Sequence, residues 1–97
     1  MQQIHNELFR FLAGSFNQDW GDEYASANSV VEGFVAENTP EEIGKVRAQL
    51  HELLELDLPE SEIRSLLFGK YVCSYYYPDE WDSAKDWIRH LLDTLKK

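Results

Sequence analysis

Cysteine is almost missing from this 97-residue chain: Cys73 is alone, so no intrachain disulfide can form. A single thiol set among aromatic residues suits a reducing cytosol. No base lies near it in sequence, so it lacks the partner that nucleophilic catalysis needs. Proline occurs three times and glycine five times, without a tract that would make a linker. Apolar runs are short, and none nears the ~20 residues that cross a bilayer. Met1-Gln2-Gln3-Ile4-His5 has no basic start, and Glu7 and Arg10 interrupt the apolar residues that follow, so no signal peptide is expected. The chain is expected to be a soluble, cytoplasmic protein. Enzyme signatures are missing as well: there is no Gly-rich phosphate loop, no nucleophile elbow, and no Cys or His pair at zinc spacing. His51 and Glu55 could share one helix face, but a third metal ligand is lacking. Asp82 and Asp86 stand one helical turn apart among polar neighbours, which suits a solvated surface better than acid–base work. We therefore expect no enzyme, no cofactor and no metal.

The most telling scarcity is of positive charge. Between Asp19 and Lys45 there is no lysine or arginine, against seven carboxylates: Asp19, Asp22, Glu23, Glu32, Glu37, Glu41 and Glu42. Net charge is −9, and residues 1–44 hold Arg10 as their only Lys or Arg. Solubility does not require such clustering, so the asymmetry favours a binding role. Phosphate-rich partners would be repelled, which argues against nucleic acid and membrane surfaces and for a basic, folded protein.

Hydrophobic spacing is helical nearly throughout. Ile4, Leu8, Phe11 and Leu12 form a first stripe that ends near Gly14, and Ser15 to Gly21 reads as a loop. A second helix fits Tyr24, Ala27, Val31, Phe34 and Val35; Asp22 and Ser29 compete as its cap, and Gly33 weakens it. Thr39-Pro40-Glu41-Glu42 places a hydroxyl, a proline and acids where a helix begins, so Glu41 and Glu42 read as start-of-helix groups. Ile43, Val46, Leu50, Leu53 and Leu54 continue that stripe. Leu58-Pro59-Glu60 restarts the chain into Ile63, Leu66 and Leu67, with Gly69 as the stop. Tyr71 to Tyr77 is rich in strand formers but has no second strand to pair with, so it reads as an extended connector closed by Pro78. A last helix starts near Asp82 or Ser83 and runs through Trp87, Ile88, Leu91, Leu92 and Leu95, with Lys96 and Lys97 at its negative end. The expectation is one all-α domain, residues 1–97, built as a compact bundle of four to five short helices.

Two aromatic–acidic clusters stand out: Phe16 to Tyr24 around Asp19-Trp20-Gly21-Asp22-Glu23, and Tyr75-Tyr76-Tyr77-Pro78-Asp79-Glu80-Trp81-Asp82. Phe16 and Trp20 read as core. Three adjacent tyrosines cannot all point inward, so at least one ring is expected beside the acids, where it would give grip while the charges steer. The expected contact residues are Asp19, Asp22, Glu23, Tyr75, Tyr77, Asp79, Glu80 and Asp82. Tyr77→Ala combined with Glu80→Lys is expected to weaken binding and leave the helical signal intact.

Phe16-Asn17-Gln18-Asp19-Trp20, Val30-Val31 with Phe34, Thr39-Pro40-Glu41-Glu42, and the Cys73, Tyr77-Pro78, Trp87 region occur here in an order and spacing that resembles the small immunity proteins of bacterial contact-dependent growth inhibition (CDI) systems. That resemblance implies binding to the C-terminal toxin domain of a large exported effector, inside the cell that makes both. Toxins of this kind are often nucleases, so the implied partner is a basic protein domain, and a monomer is expected when the chain is free. More locally, Tyr76-Tyr77-Pro78 followed by Asp82-Ser83 is similar to a stretch of colicin nuclease immunity proteins in which tyrosines touch the nuclease. The alternatives are an acidic nucleic-acid mimic or adaptor for another basic protein, and a small enzyme using a carboxylate pair.

Overall fold

The three longest helices of this chain start at hydroxyl caps. Ser26 Oγ accepts from the Ser29 amide to open α3 (Ala27–Glu37), Thr39 Oγ1 accepts from the Glu42 amide to open α4 (Pro40–Glu55), and Ser83 Oγ accepts from the Asp86 amide to open α6 (Ala84–Thr94). The computed structural model describes residues 6–96, of Asn6 the backbone alone. Ile4, His5 and Lys97 lie outside the described residues. Before α3 come α1 (Asn6–Phe9) and the single turn α2 (Trp20–Glu23), and α5 (Glu60–Ser65) lies between α4 and the connector. The order is all-helical, as expected, with no strand among the described residues.

Two helices run on where glycine was expected to stop them. α1 continues into a π-helical stretch, Arg10–Ser15, through Gly14, and α5 continues into another, Leu66–Lys70, through Gly69. The wider turn keeps Phe11 and Leu12 in the first case and Leu67 in the second fully buried. The second ends with the Cys73 amide on the Leu67 carbonyl at 2.8 Å, a reversal that puts exposed Val72 at φ 51°. A β-branched residue is strained there. In the stretch expected to be a loop, Trp20–Glu23 forms the turn α2, and α3 starts at neither Asp22 nor Ser29 but from Ser26. Gly33 has a packing role: a Cβ built on it would stand 3.1 Å from Tyr24 Cε1, so the glycine lets that ring lie against α3.

The core centres on Phe16, whose ring meets Phe11 at 5.7 Å, Tyr75 at 5.6 Å and Trp87 at 5.6 Å. Phe16 is fully buried, and Trp20 is half-buried against it. α6 closes the core with Trp87, Ile88 and Leu91. No helix among the described residues is long and apolar enough to cross a membrane.

Candidate protein-binding surface

Burial alternates from residue to residue along 71–77, although the segment pairs with no strand and its backbone is not extended at Tyr71 and Val72. Tyr71, Cys73, Tyr75 and Tyr77 are buried, while Val72, Ser74 and Tyr76 are exposed. The three tyrosines therefore divide two inward and one outward, and the outward one is Tyr76, 52 % exposed. Tyr75 (4 %) and Tyr77 (0 %), expected at the surface, face the core instead. Their rings pack on Trp87, Tyr77 in parallel at 5.9 Å and Tyr75 tilted at 4.9 Å. Tyr77→Ala would accordingly open a hole in the core, contrary to the expectation that the fold would tolerate it.

The two buried phenols keep polar ends that fix the surface above them. Tyr75 Oη donates to Glu80 Oε1, tying that carboxylate to the core. Burial, reinforced by the negative Glu80, holds the Tyr75 phenol well above its ordinary range, so it stays a neutral donor. Tyr77 Oη donates to Glu60 Oε2, and its phenol is likewise raised by burial and then by Glu60. Glu60 also accepts from the Ala84 amide at 3.0 Å, so one carboxylate at the start of α5 joins the connector to the first turn of α6. Tyr76, outside, stacks on Phe68 at 5.7 Å with its plane 12° away.

A backbone bond brings the two aromatic–acidic clusters together. The Ser74 amide donates to the Phe16 carbonyl at 2.9 Å, and Trp20 meets Tyr75 edge-on at 5.6 Å. Trp20, Ser74, Tyr75, Tyr76, Asp79 and Glu80 then line one shallow depression of about 400 Å³. Glu80 also borders a second depression, with Trp81, Asp82, Asp86, Arg89, His90 and Asp93, and a third, with Ser26, Asn28, Trp81 and His90. Trp81 lies over the His90 ring at 4.7 Å, and His90 Nε2 is 2.7 Å from Asn28 Oδ1. Exposed Asp79, Glu80, Asp82 and Asp93 thus line depressions that also hold half-buried Trp20 and Trp81 and exposed Tyr76.

Of the expected contact residues, Asp79, Glu80 and Asp82 line these depressions and are exposed. Asp19, Asp22 and Glu23 are exposed around the Trp20 turn but line none of these depressions. Glu32 and Glu37 are exposed on α3, and Glu41 and Glu42 sit in the first turn of α4. Sequence reasoning did not single out Asp93 or His90 for this surface, it read Asp86 as an ordinary solvated acid, and it reached Tyr76 as a contact only through the likeness to colicin nuclease immunity proteins. The period-two alternation of 71–77 was the signal for Tyr76. Asp82, Asp86 and Asp93, at helical spacing, were the signal for the acids. Cys73 is buried and its thiol is pushed up to about 12 by desolvation, so it offers no nucleophile. Among the described residues no group of three or more His, Cys, Asp or Glu side chains could hold a metal.

The sequence matches the CdiI immunity protein family over residues 5–95. The chain belongs to that family. Its structure is also similar to a chain in the crystal structure of a CdiA-CT/CdiI complex from Y. kristensenii 33638. The two are 34 % identical, with a TM-score of 0.91, over 94 % of this chain and 92 % of that one. A comparison with curated proteins gave no match. As a CdiI protein the chain is a member of a family of immunity proteins.

Proposed function

We propose that this CdiI protein neutralises a cognate toxin domain by binding it one-to-one through the surface centred on Glu80. Family membership together with the likeness to a chain of a toxin–immunity complex supports the reading. The placement is supported by one convergence: Glu80 borders three adjoining depressions that hold Tyr76, Trp20, Trp81 and most of the nearby acids. The partner is a basic domain, and a nuclease fits because its substrate is itself a polyanion. The net charge of −9 steers the encounter, raising the association rate about 10- to 1,000-fold at low salt. Aromatic groups at the centre of such a surface then slow dissociation. Neutralisation takes place in the cytoplasm of the producing cell, before the toxin is exported.

The test compares two equal changes of charge. Glu80→Lys alters the centre of the surface; Glu37→Lys alters an exposed acid at the end of α3 that borders none of the three depressions. Affinity for the purified C-terminal domain of the effector encoded beside this chain is measured for each. Glu80→Lys is expected to weaken binding at least ~30-fold and to abolish protection of toxin-expressing cells. Glu37→Lys should cost only a few-fold, mostly in association rate. Equal losses would show that bulk charge, not this surface, governs binding.

A further inference from the structure

One depression on this acidic molecule is basic. Between α4 and α6, Arg47, His51, Arg89 and Lys96 surround Leu54, Leu92 and Asp93. Three of the chain's nine lysines and arginines meet there. Arg47 serves the fold: its Nη1 donates to the Leu92 carbonyl and, at 3.3 Å, to the Leu95 carbonyl, capping the end of α6. Arg89 and Lys96 have little such work. Arg89 is 61 % exposed and reaches only Asp86, at 3.1 Å, while Lys96 makes no side-chain hydrogen bond or ion pair with the described residues. The dipole of α6 accounts for Lys96 at its end but not for Arg89 at its middle. Arg89 and Asp93 also border the acidic depression that holds Glu80, Asp82 and Asp86. The acidic and basic depressions are thus neighbours on one side of α6.

Resting on the toxin-binding reading above, we infer that this pair of depressions sets the register of the complex: the toxin presents a carboxylate-bearing spot beside its cationic patch, and Arg89 and Lys96 receive it. A surface acidic throughout would hold any polycation in many orientations. A charge boundary fixed on one helix holds one orientation and repels a partner that is basic on both sides. The device gives specificity, not strength.

The sign of one substitution experiment decides it. Arg89→Glu with Lys96→Glu makes the chain more acidic. If only overall charge mattered, binding to a basic toxin domain would tighten. Register-setting requires it to weaken about 10-fold or more, chiefly through faster dissociation. Poly-L-lysine serves as the probe without a register, and its binding should tighten in the same variant. Arg89→Gln with Lys96→Gln, which removes charge without adding repulsion next to Asp86 and Asp93, should weaken toxin binding several-fold and covers the case in which the reversal impairs folding, read by thermal melting. Unchanged or tighter toxin binding in either folded variant overturns the inference. If Glu80→Lys still loses binding in that event, the toxin-binding surface stands and only the register role falls. If the unaltered chain fails to bind the domain, both fall.

Discussion

Tyr76 and Tyr77 are neighbours in sequence and opposites in the structure, which makes their alanine variants a sharp test of where each ring points. Tyr77 is fully buried, lies parallel to Trp87, and donates to Glu60. Truncation removes a ring from the core and takes away a partner of a half-buried carboxylate. Large aromatic-to-alanine changes in cores cost about 3–5 kcal/mol, and loss of the Glu60 bond adds to that. A domain of this size holds about 5–15 kcal/mol in all, and each kcal/mol moves Tm by about 4–8 °C. Tyr77→Ala is therefore expected to lower Tm by more than ~12 °C, and binding should fall only in proportion to the unfolded fraction. Tyr76 is half exposed and stacks on Phe68 alone among neighbouring rings. Its truncation should cost about 0.5–1.5 kcal/mol of stability and, as an aromatic anchor, at least ~2 kcal/mol of binding, or ~30-fold in Kd. Urea and thermal unfolding give the first pair of numbers, and titration calorimetry with the toxin domain below each variant's Tm gives the second. A Tyr77→Ala protein as stable as the parent would refute the inward assignment of that ring. Full affinity in Tyr76→Ala would refute its role as an anchor.

Two further outcomes follow from backbone and burial. Gly44 lies inside α4 with nothing within 4 Å of a Cβ built on it, so Gly44→Ala should raise stability by about 0.5–1 kcal/mol in urea unfolding. Gly33→Ala should gain less or lose, since its Cβ meets the Tyr24 ring; equal gains at both sites would contradict that contact. The Cys73 thiol has a folded pKa of about 12 against an ordinary 9.0, and the Tyr75 and Tyr77 phenols are raised too. At alkaline pH the unfolded chain releases these protons first, so the stability they contribute is complete below about pH 9 and is lost as pH climbs towards 12. Denaturant midpoints measured from pH 8 to 11 should fall, and a thiol reagent at pH 8 should react with Cys73 only on unfolding. A flat profile or rapid labelling of the native chain would contradict the burial.

Helix beginnings were legible because capping is local chemistry. Thr39 and Ser83 stand three residues before the amides they accept from, and nothing distant is needed to form those bonds. Ser26 was overlooked because Asp22 and Ser29 offered the same chemistry nearby. Only packing of Val30 and Val31 into the core selects among the three. Helix ends past Gly14 and Gly69 were not legible. A π-helical turn is held by what it buries, here Phe11, Leu12 and Leu67, and not by the propensity of the glycine inside it. The meeting of the two aromatic clusters was likewise out of reach, since it depends on the Ser74–Phe16 backbone bond between distant segments.

Charge was legible in amount but not in place. The acid run from Asp19 to Glu42 is the most one-sided stretch of the sequence, yet it is dispersed over the Trp20 turn, α3 and the start of α4. A depression with four acids is built instead by Glu80, Asp82, Asp86 and Asp93, from a segment that also contains Lys85 and Arg89. Folding draws one of those two cations away from the acids. Lys85 turns away to pair with Asp57, at the end of α4, where that pairing holds the Asp57 carboxyl below its ordinary range. Arg89 is left at the boundary with the basic depression. Counting charge along the chain finds the excess; finding where acid is concentrated on the surface requires knowing which cations have been drawn off by other partners.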